Sequence, residues 1–138
     1  MAFSYDFLPP IVPDMLPAFQ RNKIKLFFTL SQNTDIQIIQ GIEFKIISQY
    51  GDKVYIENNF INYVPIKNIY KCTEADDLLY GDHYIIIDTS TLDCDIFYKV
   101  QFRFYKGKDL TTIIDLNNFS EWSAVCLIKK LKETKITI

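Results

Sequence analysis

The ten residues Ile96-Phe97-Tyr98-Lys99-Val100-Gln101-Phe102-Arg103-Phe104-Tyr105 alternate without a break. Ile96, Tyr98, Val100, Phe102 and Phe104 make one set; Phe97, Lys99, Gln101, Arg103 and Tyr105 make the other. Successive side chains of an extended chain point to opposite faces, so a period of two predicts a strand. Its first set is expected in a core and its second set outward. Such a half-covered strand belongs to an antiparallel sheet, which packs one face and leaves the other to solvent.

The same beat recurs upstream. From Lys23, the residues Ile24, Leu26, Phe28 and Leu30 share one face, opposite Lys23, Lys25, Phe27, Thr29 and Ser31. A polar turn, Ser31 to Asp35, leads into a β-rich stretch from Ile36 to Gln49 with Ile42, Phe44 and Ile46 on one face. The alternation slips around Gly41, as at a β-bulge. Tyr50-Gly51-Asp52-Lys53 is a hairpin turn into Val54-Tyr55-Ile56. Between Asn58 and Tyr70 the pattern is ambiguous, and Pro65 restricts it to an edge strand or a loop. Glu74 to Asp82 reads as an exposed helical turn, Tyr84 to Asp88 as a strand, and Thr89 to Asp95 as a turn. A loop from Lys106 to Phe119 leads to a last strand expected over Trp122 to Leu131, with Val125 and Leu127 inward. Ahead of all this, Leu8 to Phe19 carries Pro9, Pro10, Pro13 and Pro17, so it is extended, polyproline-like or a first edge strand. About seven short strands without a long helix define an all-β antiparallel β-sandwich.

A chain of 138 residues has room for one domain. With 49% apolar and 23% charged residues it has ordinary globular composition. Fifteen basic against seventeen acidic side chains give a net charge of -2, which offers no electrostatic footprint for nucleic acid. No apolar run reaches the length of a membrane span. The opening, Met1 to Asp6, has no basic stretch followed by a long apolar one, and the early prolines interrupt it, so no signal peptide is expected. Cys72, Cys94 and Cys126 are an odd number without metal-binding spacing, and are expected as reduced thiols. A Cys94–Cys126 bridge would require an oxidising compartment.

Chemistry is sparsely provided. His83 is the only histidine, and no serine sits in a Gly-x-Ser-x-Gly setting. Glu74, Asp76, Asp77 and Asp82 form an acidic cluster without the calcium-loop rhythm. None of the four glycines belongs to a phosphate-cradling loop. No enzymatic activity, metal or cofactor is expected. Phe27, Tyr55, Phe97 and Tyr105 fall on outward faces by strand parity and are candidates for an interface, since an aromatic sheet face commonly docks a partner.

Three features together carry a family resemblance. Thr91-Leu92-Asp93-Cys94-Asp95-Ile96-Phe97-Tyr98 resembles the corner before the sixth strand of immunoglobulin-like and fibronectin type III-like domains, with Tyr98 as the corner tyrosine. Phe119-Ser120-Glu121-Trp122-Ser123 resembles the WSxWS signature of cytokine-receptor fibronectin modules, with Phe119 standing where the first tryptophan would be. Pro17 with the strand Ile24 to Leu30 resembles the family's first two strands, although the tryptophan usual in the second is absent here. An outward Trp122 is then expected to lie over Arg103 or Lys99 in a cation–π contact. The wording of Tyr98 to Phe104 together with Phe119 to Ile128 is also similar to large structural proteins of tailed phages and prophages. That resemblance implies a non-catalytic virion component of tail, fibre or neck, made in the host cytoplasm, docking to other virion proteins or to copies of itself. The alternative is an adhesion module for a host-surface glycan or protein, using loops 58–82 and 106–119. The expected boundaries are a sandwich over residues 1–131, with a proline-rich lead-in over 1–20. Residues 132–138 are read as a linker or the start of a following module of a longer protein.

Overall fold

The computed structural model describes residues 8–30, 39–48, 54–56, 63–106 and 120–132. Strand β1 (Lys23–Phe28) pairs antiparallel with β6 (His83–Asp88), from Lys23 opposite Asp88 to Phe28 opposite His83. A short strand, β5 (Tyr70–Lys71), adds to the far side of β6 and completes a three-stranded sheet. The larger sheet is built on β2 (Ile39–Ser48) and β7 (Phe97–Lys106), with β8 (Cys126–Lys129) on the other edge of β7. Strands β3 (Val54–Ile56) and β4 (Tyr63–Pro65) share the outer edge of β2, β3 at Ile46–Ile47 and β4 at Gly41–Glu43. A single helical turn, α1 (Ala75–Leu78), lies between β5 and β6. The chain changes sheets after β1, after β4 and after β6, so both layers are woven from distant segments. This is an antiparallel β-sandwich.

The decisive stretch folds as read. Tyr98, Val100 and Phe104 are fully buried and Phe102 nearly so. Ile24, Leu26 and Phe28 of β1 meet them from the other sheet. Phe28 stands at the centre, with ring centroids 5.8 Å from Phe102, 5.6 Å from Phe104 and 5.8 Å from His83. Gly41 marks the slip anticipated in β2: the register against β7 shifts between Ile39 and Gly41. A Cβ at Gly41 would collide with the phenol of Tyr63 and come within 2.6 Å of the Val64 carbonyl, so only glycine lets β4 approach.

The last strand departs from its reading. It is paired over Cys126–Lys129, and Cys126 and Ile128 are buried while Val125 is exposed and Leu127 half-buried. The proline-rich lead-in serves both sheets as an edge segment. Ile11 pairs antiparallel with Thr29 just past β1, whereas Met15 and Phe19 form parallel bridges to Leu127 and Lys130. Pro13 falls between the two, where the missing N–H costs no ladder bond.

Replacing Phe28 with alanine empties the place where the two layers meet, and is expected to lower stability by about 3–5 kcal/mol. Urea unfolding followed by Trp122 fluorescence measures it. A loss below about 1 kcal/mol would mean that the sheets do not pack through this ring.

Candidate functional site: the outer faces of the two sheets

The corner between β6 and β7 sets the frame. Tyr98 is fully buried, and its hydroxyl accepts the Asp93 backbone N–H at 2.7 Å. Leu92 is buried beneath the same turn, and its N–H reaches the Thr89 carbonyl at 3.0 Å. Asp95 takes a left-handed backbone with φ 66°, a conformation aspartate tolerates better than most residues. Its N–H donates to the Lys130 carbonyl at 2.7 Å and ties the corner to the end of β8. Lys130 is itself buried, donating from Nζ to Thr89 O at 2.8 Å and Asn22 Oδ1 at 3.0 Å. The expected corner-tyrosine geometry is therefore present, with a lysine beneath it that strand parity gave no reason to look for.

The Ser120-Glu121-Trp122-Ser123 segment clamps the edge of β7. Ser120 and Ser123 donate their N–H groups to the Phe104 and Phe102 carbonyls at 3.0 and 2.7 Å. Their hydroxyls accept the Phe104 and Phe102 N–H groups at 2.9 and 3.0 Å. Two serines thus answer two residues of β7 with backbone and side chain alike, while the residues between them bulge. Further along, Cys126 pairs with Val100, so the chain runs ahead of β7 again. These extra residues shift the inward positions of the last strand from Val125 and Leu127 to Cys126 and Ile128.

The bulge places Trp122 on the outer face of the larger sheet. Its ring lies under Lys45 Nζ at 4.3 Å and Arg103 Cζ at 4.6 Å. The contact with Arg103 was expected. Lys45 of β2, not Lys99, supplies the second cation, and Lys99 is exposed. Arg103 stands directly opposite Glu43, and its Nη2 lies 3.4 Å from Glu43 Oε2. Glu43 is only 4% exposed, and burial pushes its carboxyl above the ordinary value of 4.5, with Arg103 pulling the other way. Burial and the neighbouring Arg103 charge lower the Lys45 ammonium. The face is an ordered stack of cations, indole and carboxylate.

The smaller sheet presents a different outer face. Phe27 points outward by parity but is buried, because Tyr80 and Tyr84 close over it at 5.4 and 6.1 Å between ring centroids. Phe27 is therefore no open platform. Beside it Tyr70 stacks on Tyr84 at 5.4 Å and is 42% exposed, and Ile86 is 50% exposed. Lys25 bonds Asp77 Oδ2 at 2.8 Å and sits 4.6 Å over the Tyr84 ring, pinning the α1 segment against β1. A groove of about 420 Å³ opens between Leu16–Phe19 of the lead-in and β1, and Ile86 and Asp77 reach its far wall.

Tyr105 is likewise covered, edge-on to Tyr63 of β4 at 6.0 Å. Phe97 is half-buried with Lys129 Nζ 5.0 Å over its ring. The Tyr55 side chain, loop residues 57–62 and 107–119, and the tail 133–138 lie outside the described residues. Cys72, Cys94 and Cys126 are free thiols, and burial holds Cys126 up at about 12. His83 stacks on Phe28, and burial lowers its imidazole below 6.5. Among the described residues no group of three or more His, Cys, Asp or Glu side chains converges as a metal site. No described helix is long and apolar enough to cross a membrane. No protein-family model matches the chain, and no curated protein matches it in sequence.

Ser123→Ala strands the buried Phe102 N–H and is expected to cost about 1–3 kcal/mol in urea unfolding, against near neutrality for Glu121→Ala at the exposed position. Glu43 gives a pH signature. Because its folded-state pKa lies above the unfolded one, its contribution is most favourable in acid. Stability is lost as pH rises from about 4.5 through the folded value. The stability of the wild type relative to Glu43→Gln should therefore fall across that window, and a rise would show that Arg103 outweighs the burial.

Proposed function

We propose that this chain is a non-catalytic docking module, and that it serves as a structural component of a tailed-phage particle, in tail, fibre or neck. The observation that carries the docking part is the outer face of the three-stranded sheet. Tyr70 at 42%, Ile86 at 50% and Leu79 at 79% exposure lie on one side of it or on the loop that flanks it. Apolar side chains gathered on a rigid sheet are better suited to a protein surface than to solvent. The viral part rests on the resemblance of the Tyr98 and Trp122 segments to phage structural modules. The corner tyrosine and the stacked indole agree with a fibronectin-like module, and fold alone assigns no chemistry.

Mass spectrometry of purified tailed particles from the source organism tests the reading. Peptides of this chain are expected at a fixed ratio to the other virion proteins. Ile86→Glu should reduce its incorporation while changing stability by no more than about 0.5 kcal/mol, as exposed substitutions do. Absence from the particles, with saturable binding to immobilised host glycans, would replace virion docking by host-surface adhesion. The exposed Tyr70–Tyr84 stack is where a sugar ring would then lie.

A further inference from the structure

The backbone of β1 is half used. Antiparallel neighbours exchange bonds at every second pair, so each strand offers alternate residues to either side. Thr89 N–H donates to the Asn22 carbonyl at 2.7 Å, and the register continues with Ile24 opposite Ile87 and Leu26 opposite Ile85. Ile24, Leu26 and Phe28 thus bond to β6, and Lys23, Lys25 and Phe27 turn their N–H and C=O groups the other way. Thr29 has that second parity, and it exchanges both bonds with Ile11 at 2.7 and 2.8 Å. There the cover stops. After Pro13 the lead-in crosses to β8, where Leu16 N–H reaches Leu127 O at 3.0 Å and Phe19 N–H reaches Lys129 O at 3.1 Å. Among the described residues nothing bonds the backbone of Lys23, Lys25 or Phe27 on this side. The groove of about 420 Å³ occupies the gap, with Leu16, Phe19 and Ile24 in its wall.

We infer that this edge is a strand-addition site that accepts an extended segment of another protein, alternating acidic and apolar side chains. The inference rests on the docking reading and names its surface and its partner's chemistry. Main-chain bonds to Lys23, Lys25 and Phe27 hold the added strand, and alternate side chains read the two faces. Inward-facing ones meet Leu16, Phe19 and Ile24 and are apolar. Outward-facing ones meet Arg21 and Lys23, which among the described residues form no ion pair within 4 Å. Of the acidic groups nearby, Asp77 is taken by Lys25, Asp88 opposite Lys23 accepts the Ser90 N–H, and Asp76 is left as the one opposing charge in the wall. A second copy of β1 does not fit. Two-fold pairing centred on Lys25 or Ile24 sets lysine against lysine, and like charges directly opposite are destabilising. Centring on Leu26 leaves only Lys25 paired with Phe27, because the outer pair needs Thr29, which Ile11 already occupies, so that register makes a shorter ladder than a full added strand.

Amide exchange followed by NMR tests this on the whole chain. In the free protein the Lys23, Lys25 and Phe27 amides should exchange much faster than those of Ile24, Leu26 and Phe28. A capped hexapeptide alternating glutamate and valine should slow those three at least tenfold at saturation, and a lysine–valine counterpart should not. Lys23→Glu should weaken the acidic peptide at least fivefold while leaving the exchange of Ile24 and Leu26 unchanged. Edge amides already slow in the free chain overturn the site, as does a hexapeptide without effect at millimolar concentration. Equal protection by the lysine–valine peptide overturns the acidic partner. An unresponsive edge in a chain that still enters particles removes this surface and leaves the docking reading standing.

Discussion

Strand β7 cannot slip by one residue. Tyr98, Val100, Phe102 and Phe104 are sealed, and a shift of one would bring Lys99, Gln101 and Arg103 inward in their place. The cost of burying three polar side chains without partners far exceeds what any loop returns, so the alternation locks the register on both edges. On one edge β2 pairs along almost the whole strand; on the other, the two serines and then β8 complete the ladder. Phe28 closes the opposite layer on this strand. The Tyr98 hydroxyl fixes the turn that delivers the chain to it.

The locked register also determines what the outer face can hold. Once Glu43 is opposite Arg103 and Lys45 opposite Gln101, Trp122 has two cations within 5 Å of its ring centroid. Each contact of this kind contributes roughly 0.5–2 kcal/mol, more where water is excluded. The buried Glu43 works against that gain, since desolvation of a carboxylate is only partly offset by an arginine at 3.4 Å. The stack is therefore better at holding the bulged serine segment in one place than at adding net stability.

Much of this was legible because strand parity is a local property. The inward set of β7, that of β1, the slip at Gly41 and the corner around Tyr98 all follow from neighbouring residues. What parity cannot show is which distant element lies on top of a face. Phe27 and Tyr105 point outward as read, yet Tyr80 and Tyr84 cover the first and Tyr63 the second. Lys45 stood in for Lys99 for the same reason: the choice depends on how β2 aligns with β7, which no single strand reveals. The last strand was misread because the Ser120 to Val125 segment carries extra residues against β7, and a period of two is lost across any bulge. Glu43 and Lys130 gave no signal of burial at all, because their partners, Arg103, Asn22 and Thr89, are remote in sequence.

The prolines of the lead-in connect the fold to its use. A first strand free of proline would pair with β1 from end to end and leave one sheet with a finished border. With Pro13 and Pro17 in place it makes one bridge to Thr29 and then serves β8. This closes the edge of the larger sheet, which would otherwise expose β8, at the expense of β1. Natural sheets guard an open edge with charge, and Lys23 and Lys25 on β1 do so here. Lys23, which discourages pairing with a second copy, also favours a strand of opposite charge, so protection against self-association and selectivity for a partner follow from one side chain.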